Sequence, residues 1–215
     1  MQPPAFIAFT GVDRLGVLPG LKSLSARYPI EWGVLVDPDQ EDKSLFPDAA
    51  TRKMLLAEPD LRWAAHICGA GARDIVAAPL TTVVEVTGVQ RVQLNHSFAG
   101  SAPNHVEAAR DYGRRMGVRT VLQCAGAFPT ESGVDWLYDV SFGTGVRPSD
   151  WPQLNPNGSF CGYSGGIGPS TVVEILDHIA APSGALYWID MESGVRTDGA
   201  FDLDKCEAVC RAVYG

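Results

Sequence analysis

The chain alternates between short apolar runs and helical patterns from one end to the other, and this alternation restricts the possible folds more than any other feature. Short connections between such units predict parallel strands joined by right-handed crossovers. Eight units suit a closed barrel better than an open sheet, and no Gly-x-Gly-x-x-Gly follows the first run, which argues against a dinucleotide-binding sheet. We therefore predict an α/β fold, a compact single-domain (β/α)8 TIM barrel over residues 1–215. The predicted strands are residues 5–9, 30–36, 63–68, 89–94, 119–124, 136–140, 159–163 and 186–191.

Helical periodicity follows most of these strands but not all of them. Residues 104–116 form the clearest helical pattern, and residues 71–78 form a short one. The helical signal is poor around residues 130–132, and residues 151–154 offer a single turn. The last helix has an apolar stripe at steps of three and four, so we expect it to pack inward. The stripe consists of Leu203, Cys206, Val209, Cys210 and Val213.

Composition and charge argue against several classes of protein. The net charge is −8 and no basic run is present, which disfavours a nucleic-acid-binding protein. No apolar run approaches about 20 residues, and no basic segment precedes an apolar core at the N-terminus, so we expect neither a membrane span nor a signal peptide. Five cysteines without Cys-x-x-Cys spacing are typical of reduced thiols and predict a cytoplasmic protein.

Small residues end the last two predicted strands. Gly165 and Gly166 follow the seventh strand, and Ser193 and Gly194 follow the eighth. Late strands of many barrels end in a phosphate site built from backbone N–H groups and a helix N-terminus, and a side chain there would block the anion. We predict that these four residues bind a phosphate, with the amides of Gly166 and Gly194 in contact with it. Plain tight turns are the alternative.

Asp139 is the first candidate for acid/base chemistry. It ends an apolar run on the sixth strand, so its carboxylate is expected to be partly desolvated, with a raised pKa that suits proton donation. The alternative is an aspartate that caps a helix or orders a loop. Both interpretations place the side chain at the carboxyl end of the strand, where barrel active sites lie.

Two further carboxylates, Asp190 and Glu192, share one face of the eighth strand and are expected to point into the barrel mouth. Two carboxylates close together raise one pKa, which suits acid/base work. A barrel hydrogen bond that locks Asp190 is the alternative. His66 lies within an apolar strand, where it is either a core histidine or a base. No helical His-x-x-x-His or comparable signature is present, so we expect no metal and no other cofactor.

The late segments resemble phosphoribosylanthranilate isomerase. That family has a strand-six Asp followed by a Gly-rich stretch, here Asp139 and residues 143–145. Its strand-seven Gly-Gly turn with a following Pro matches residues 164–169, and its strand-eight Asp-x-x-Ser-Gly-Val matches residues 190–195. Residues 92–95, Val-Gln-Leu-Asn, look like its strand-four Val-Gln-Leu-His. The resemblance is good from about residue 134 onward and thin before residue 90.

The resemblance implies that Asp139 acts as the acid. It does not extend to the residue that acts as the base in that family. The family's strand-one Cys, which removes the proton, is replaced by Thr10, and its neighbouring Lys by Ala8. A threonine hydroxyl does not ionise near neutrality, so Thr10 cannot be the base by itself. The strand-four His becomes Asn95, and the family's Arg after strand two, which contacts a carboxylate, has no clear counterpart. These departures indicate a divergent relative.

We interpret the chain as a phosphoribosylanthranilate isomerase-like barrel that binds a phosphorylated sugar or ribosyl ligand and performs isomerase-type proton transfer. The expected base is His66 or Glu192, and the expected substrate-binding residues are Thr10, Asn95 and Asp190. The expected partner is a small phosphorylated metabolite, and the chain is expected to be a monomer or a homodimer. Two alternatives stay open: a pentose-phosphate epimerase-like enzyme, and a catalytically inactive protein that binds a phosphorylated metabolite.

Overall fold

The computed structural model describes residues 2–41, 43–77, 84, 86–97, 100–155 and 157–215. Eight parallel strands pair in sequence order, and the eighth pairs with the first, so they close one barrel. The predicted (β/α)8 barrel is therefore confirmed. The strands are β1 (Phe6–Thr10), β2 (Ile30–Val36), β3 (Trp63–Ile67), β4 (Arg91–Leu94), β5 (Arg119–Cys124), β6 (Asp135–Tyr138), β7 (Cys161–Tyr163) and β8 (Tyr187–Met191).

Helices follow β1 to β4, β7 and β8. Asp202 caps the last of them, since its side chain accepts hydrogen bonds from the amides of Asp204 and Lys205. The predicted helix at residues 71–78 begins two residues earlier, at Gly69, and Ala78 lies outside the described residues. The helices are α1 (Leu18–Ser25), α2 (Ala49–Leu56), α3 (Gly69–Ala77), α4 (Pro103–Met116), α5 (Val172–Ile179) and α6 (Leu203–Tyr214).

No helix follows β5 or β6 in the described part of the chain, and the single turn predicted at residues 151–154 is irregular chain instead. Aromatic packing explains this difference. The Trp151 ring lies 6.0 Å from the Tyr138 ring and 5.8 Å from the Tyr163 ring. Each tyrosine hydroxyl also donates to a backbone carbonyl of the segment, Tyr138 to Asp150 and Tyr163 to Pro152. The segment after β6 is thus fixed to the barrel without helical hydrogen bonds.

The centre of the barrel is filled by Trp188, whose side chain points inward from β8. It packs with Phe6, Ala8, Val121 and Leu137 in a cluster separate from the larger core between strands and helices. A Cβ atom on Gly162 would lie 2.2 Å from Cε2 of the Trp188 ring, so glycine at that position leaves the space that the indole occupies.

Below Trp188, buried charges close the amino-terminal end of the barrel. The Glu31 carboxylate accepts hydrogen bonds at 2.6–3.0 Å from Arg91 Nε and Nη2. The Arg91 guanidinium also lies 4.2 Å from the centre of the Trp188 ring, a cation–π contact. Because the lower half of the barrel is packed in this way, the open space of the barrel lies at the carboxyl ends of the strands.

None of the helices in the described ranges is both long and apolar enough to cross a membrane. All five cysteines are unpaired. Cys206 and Cys210 lie on the face of α6 that packs into the core, as the apolar stripe predicted.

Candidate active site

A cavity of about 490 Å³ opens at the carboxyl ends of the strands, a size that suits a small metabolite. Nine of the ten residues singled out from the sequence line it, and Gly194 lies directly behind its wall. The nine are Thr10, His66, Asn95, Asp139, Gly165, Gly166, Asp190, Glu192 and Ser193. The residues singled out from the sequence therefore converge on one cavity.

The turns after β7 and β8 form one wall of the cavity and touch each other. A Cβ atom on Gly194 would lie 2.0 Å from the carbonyl oxygen of Ile167, so the two turns approach as closely as backbone allows. Gly165 and Gly166 have φ angles of +110° and +65°, which only glycine adopts easily. Among the described residues, no hydrogen bond uses the backbone N–H of Gly165 or Gly166. The wall can therefore offer backbone donors to an anion.

The segment after β6 packs over this wall. A Cβ atom on Gly145 would lie 2.5 Å from the Ser193 hydroxyl oxygen, and one on Gly166 would lie 2.8 Å from Cβ of Arg147. The segment contributes Thr144 and its glycine neighbours to the cavity lining. Because three successive loops meet there, the small side chains predicted for a phosphate site also allow the loops to pack together.

Asp139 orders the start of the segment after β6. One of its carboxylate oxygens, Oδ1, accepts hydrogen bonds from the Ser141 amide at 2.8 Å, the Ser141 hydroxyl at 2.8 Å and the Phe142 amide at 3.0 Å. The other oxygen accepts one from Gln123 Nε2 at 3.1 Å. The side chain is only 5% exposed. These four donors match the loop-ordering alternative, since they stabilise the turn and hold Phe142 at a φ of +48°.

Asp190, Thr10 and His66 form a hydrogen-bonded chain across the floor of the cavity. The Thr10 hydroxyl donates to Asp190 Oδ1 at 2.8 Å, and its oxygen lies 3.3 Å from His66 Nε2. Burial raises the pKa of Asp190 to about 7, helped by the charges of Asp139 and Glu192 and opposed by the hydrogen bond from Thr10. The barrel hydrogen bond considered for Asp190 is thus present. Its carboxyl can nonetheless hold a proton near neutral pH.

Burial shifts the pKa values of the other two predicted proton-transfer groups, His66 and Glu192, in opposite directions. It lowers the pKa of His66 to about 3, with a contribution from the charge of Arg91, so the ring is neutral. It raises the pKa of Glu192, which the charge of Arg196 opposes. Glu192 lies at the rim and precedes the short 3-10 helix Ser193–Val195, so it faces the cavity from higher on β8 than Asp190 does.

Further polar lining comes from the carboxyl ends of β3 and β4. Asn95 accepts a hydrogen bond from Gln93 at 2.9 Å and donates to the sulfur of Cys68 at 3.3 Å. Arg73 of α3 is the one arginine or lysine among the described residues that line the cavity. The sequence did not single out Arg73, because a lone exposed arginine in a helix carries no local signal. The described residues contain no group of three His, Cys, Asp or Glu side chains arranged to hold a metal ion.

The raised pKa of Asp190 predicts a pH dependence of stability. Its ordinary value is 3.8, so between about pH 4 and 7 the folded state holds a proton that the unfolded state has lost. This contribution is complete below pH 4 and is lost as the pH rises toward 7, at about 1 kcal/mol per pH unit. We expect the free energy of unfolding of the wild type, minus that of Asp190→Asn, to fall over this range in urea titrations. A pH-independent difference would contradict the assignment.

No protein-family model and no curated protein sequence matches the chain. Solved structures match it along its length. Dimeric phosphoribosylanthranilate isomerase from Thermotoga maritima, in a monomeric form, is 16% identical, with a TM-score of 0.60 over 99% of this chain and 98% of that one. The same kind of isomerase in complex with reduced 1-(o-carboxyphenylamino)-1-deoxyribulose 5-phosphate is 15% identical, with a TM-score of 0.60 over 99% and 98%.

A different barrel, KGPDC from Streptococcus mutans, is 14% identical and has a TM-score of 0.50 over 100% of both chains. At such low identities the likeness establishes the shared fold. The isomerases that share this fold are of the kind that the late segments of the sequence resemble.

Proposed function

We propose that this barrel binds a phosphorylated sugar or ribosyl compound and catalyses isomerase-type proton transfer beside its carbonyl or hemiacetal carbon. One observation carries the proposal: a single cavity holds, among the described residues, backbone donors of the β7 turn that make no hydrogen bond, and a protonatable buried carboxyl, Asp190, on its floor. The first feature suits a phosphate group, and the second suits general acid/base catalysis.

The phosphate end is assigned to Gly165, Gly166 and Ser193, with Gly194 supporting the wall from behind. An anion at the wall would meet the amides of the glycines and the Ser193 hydroxyl, in front of the start of α5. Thr171 stabilises this corner, because its hydroxyl donates to the Gly166 carbonyl at 2.8 Å and accepts from the Gly168 amide at 3.0 Å. The isomerase barrel solved with a deoxyribulose 5-phosphate derivative supports this assignment by analogy of fold.

At the proton-transfer end we assign the acid to Asp190 rather than to Asp139. The resemblance implies Asp139, but its oxygens already accept four hydrogen bonds, so this carboxylate is engaged in ordering the chain around it. Asp190 accepts one, from Thr10, whose hydroxyl oxygen also contacts His66. His66 and Glu192 stay the candidate bases, and Thr10 and Asn95 the candidate substrate contacts.

A second function is favoured by one observation. Thr10 occupies the strand-one position at which the resembled family has its base, and its hydroxyl is engaged with Asp190. The same cavity would then bind a phosphorylated metabolite without turnover. The remaining expectations, a cytoplasmic location and a monomer or homodimer, also stay proposals; the five unpaired cysteines support the first of them.

Hydrogen exchange tests the two functions against each other. Pentose, hexose and ribosyl phosphates are incubated with the protein in D2O, and NMR follows deuterium incorporation at the carbon beside the carbonyl. We expect enzyme-dependent incorporation into at least one compound, inhibited by inorganic phosphate. Binding by calorimetry without incorporation would establish the non-catalytic function. Neither binding nor incorporation across the set would contradict both.

Replacing Gly166 with alanine is expected to weaken the binding of a sugar phosphate, or of inorganic phosphate, by at least about 10-fold. The new Cβ would meet Arg147 at 2.8 Å and would force a residue with a side chain into a left-handed φ, so the wall would shift. Gly184→Ala is the matched control, because Gly184 also has a left-handed φ but lies in an exposed turn with no atom within 4 Å of its Cβ position. Equal losses of affinity in both variants would contradict the assignment of the wall.

A further inference from the structure

We propose that His66 Nδ1 exchanges protons with the ligand and that Thr10 passes these protons to and from Asp190. The proposal rests on the proposed function, because it assigns the base that the reaction needs. It gives Thr10 a role that the sequence did not suggest: a relay between two groups that do not touch each other.

The relay follows from the single proton of the Thr10 hydroxyl. Its oxygen lies 2.8 Å from Asp190 Oδ1 and 3.3 Å from His66 Nε2, so it bonds with both at once. When Asp190 is ionised, the hydroxyl donates to it and must accept from His66, which then carries its proton on Nε2. When Asp190 is protonated, the carboxyl donates to Thr10, the hydroxyl donates to Nε2, and His66 carries its proton on Nδ1. The two arrangements use the same heavy-atom positions.

The second ring nitrogen of His66 faces the cavity. No hydrogen bond among the described residues uses Nδ1, and Nδ1 is not one of the buried unpartnered polar atoms in that part of the chain. Because His66 lines the cavity, this nitrogen is open to a ligand. Gly33 on β2 leaves space for the Thr10 and His66 side chains, since a Cβ atom there would lie 2.7 Å from Thr10 Oγ1 and 3.1 Å from His66 Nε2.

The proton-transfer step balances without a co-reactant. A ligand C–H bond breaks, and its proton forms a bond to His66 Nδ1 while the electron pair stays on the ligand as an enediolate. The proton on Nε2 moves to Thr10 Oγ1, and the Thr10 proton moves to Asp190 Oδ1. His66 and Thr10 end neutral, and Asp190 ends as a carboxylic acid. The reverse sequence returns a proton to the neighbouring ligand atom.

The charges around the hydrogen-bonded chain of His66, Thr10 and Asp190 favour the proton relay over a mechanism in which His66 alone holds the proton. Burial lowers the pKa of His66 to about 3, so a charged imidazolium is disfavoured, and the relay never forms one. Burial raises the pKa of Asp190 to about 7; the charges of Asp139 after β6 and Glu192 after β8 raise it further, and the hydrogen bond from Thr10 and the charge of Arg91 on β4 oppose them. The proton is therefore stored where a neutral carboxyl is stable near neutral pH.

Nitrogen-15 NMR of histidine tests the relay without a ligand. In the wild type between about pH 5 and 9, we expect the His66 proton to move from Nε2 at high pH to Nδ1 at low pH while the ring stays neutral. His66→Gln identifies the signals among the four histidines. Thr10→Ser is expected to keep the transition, and Thr10→Val and Asp190→Asn are expected to lose it. A single tautomer throughout in the wild type, protonation to a cation in this range, or an unchanged transition in either the Thr10→Val or the Asp190→Asn variant would overturn the proposal.

Turnover gives the second readout on the same variants. With a ligand that exchanges deuterium, Thr10→Val is expected to reduce the maximal rate at least about 10²-fold, and Thr10→Ser, which keeps the hydroxyl, is expected to restore most of it. A Thr10→Val enzyme with the wild-type rate and pH profile would overturn the relay. If the tautomer transition is present but no sugar phosphate exchanges, the relay stands and the proposed function fails.

Discussion

Asp190→Asn is expected to reduce deuterium exchange into the sugar phosphate by about 10²–10⁴-fold, the usual contribution of a general acid or base. Asparagine keeps the shape of the side chain and can still accept from Thr10, but it cannot take up or release the proton. The hydrogen bond of the Asp190 side chain goes to Thr10 and not to the Gly165 and Gly166 wall, so the affinity for inorganic phosphate is expected to stay at the wild-type value. Exchange rates by NMR and phosphate affinity by calorimetry check both parts.

Asp139→Asn is the matched comparison, since the same substitution is made at the other buried aspartate of the cavity. An asparagine oxygen can still accept from the Ser141 and Phe142 amides, and only the contact with Gln123 Nε2 must rearrange. We expect its exchange rate to stay within about 10-fold of the wild type. The opposite order, a large loss for Asp139→Asn and a small one for Asp190→Asn, would restore Asp139 as the acid that the family resemblance implies.

Glu31→Gln is expected to lower the free energy of unfolding by about 3–5 kcal/mol, because it leaves Arg91 buried without its partner. Every hydrogen bond that the Arg91 guanidinium makes within the described residues goes to Glu31. Its other anionic neighbour, Asp135, lies 3.6 Å from Nη1, beyond a hydrogen bond. The side chains of Glu31 and Arg91 are 0% and 4% exposed, so water cannot replace the lost charge.

Arg62→Met is the control for this change. Arg62 bonds the same carboxylate at 2.9 Å, but its side chain is 42% exposed, so its ion pair is screened and its loss is expected to change stability by less than about 1 kcal/mol. Urea denaturation followed by tryptophan fluorescence measures both variants. If the two variants are equally stable, the buried pair does not hold the lower barrel together, and the packing of Trp188 alone does so.

Local periodicity was enough to predict the barrel. Each of the eight predicted strands overlaps an observed one, because alternating apolar runs and short connections restrict the topology without knowledge of distant contacts. The irregular chain at residues 151–154 was not predictable in this way. Its conformation depends on the rings of Tyr138 and Tyr163, which approach Trp151 only when β6 and β7 are paired.

The sequence also located the site, since the residues that follow parallel strands converge at one end of a barrel whatever their identity. The sequence could not show which of the carboxylates is best suited to proton donation. The prediction that burial on the sixth strand suits Asp139 to proton donation did not include the three donors that its own turn supplies or the fourth from Gln123 on β5. Arg73 was missed for the converse reason, because only its position over the cavity distinguishes it from other surface arginines.

The amino-acid order alone therefore determined the eight-stranded barrel and the small-residue turns, because both depend on neighbours within a few positions of each other. Only the tertiary structure decided which carboxyl can hold a proton. Thr10 lies 180 positions from Asp190 and 56 from His66, and barrel closure brings all three together in a water-poor interior. Desolvation and partner geometry set a pKa, and neither exists until the chain has folded.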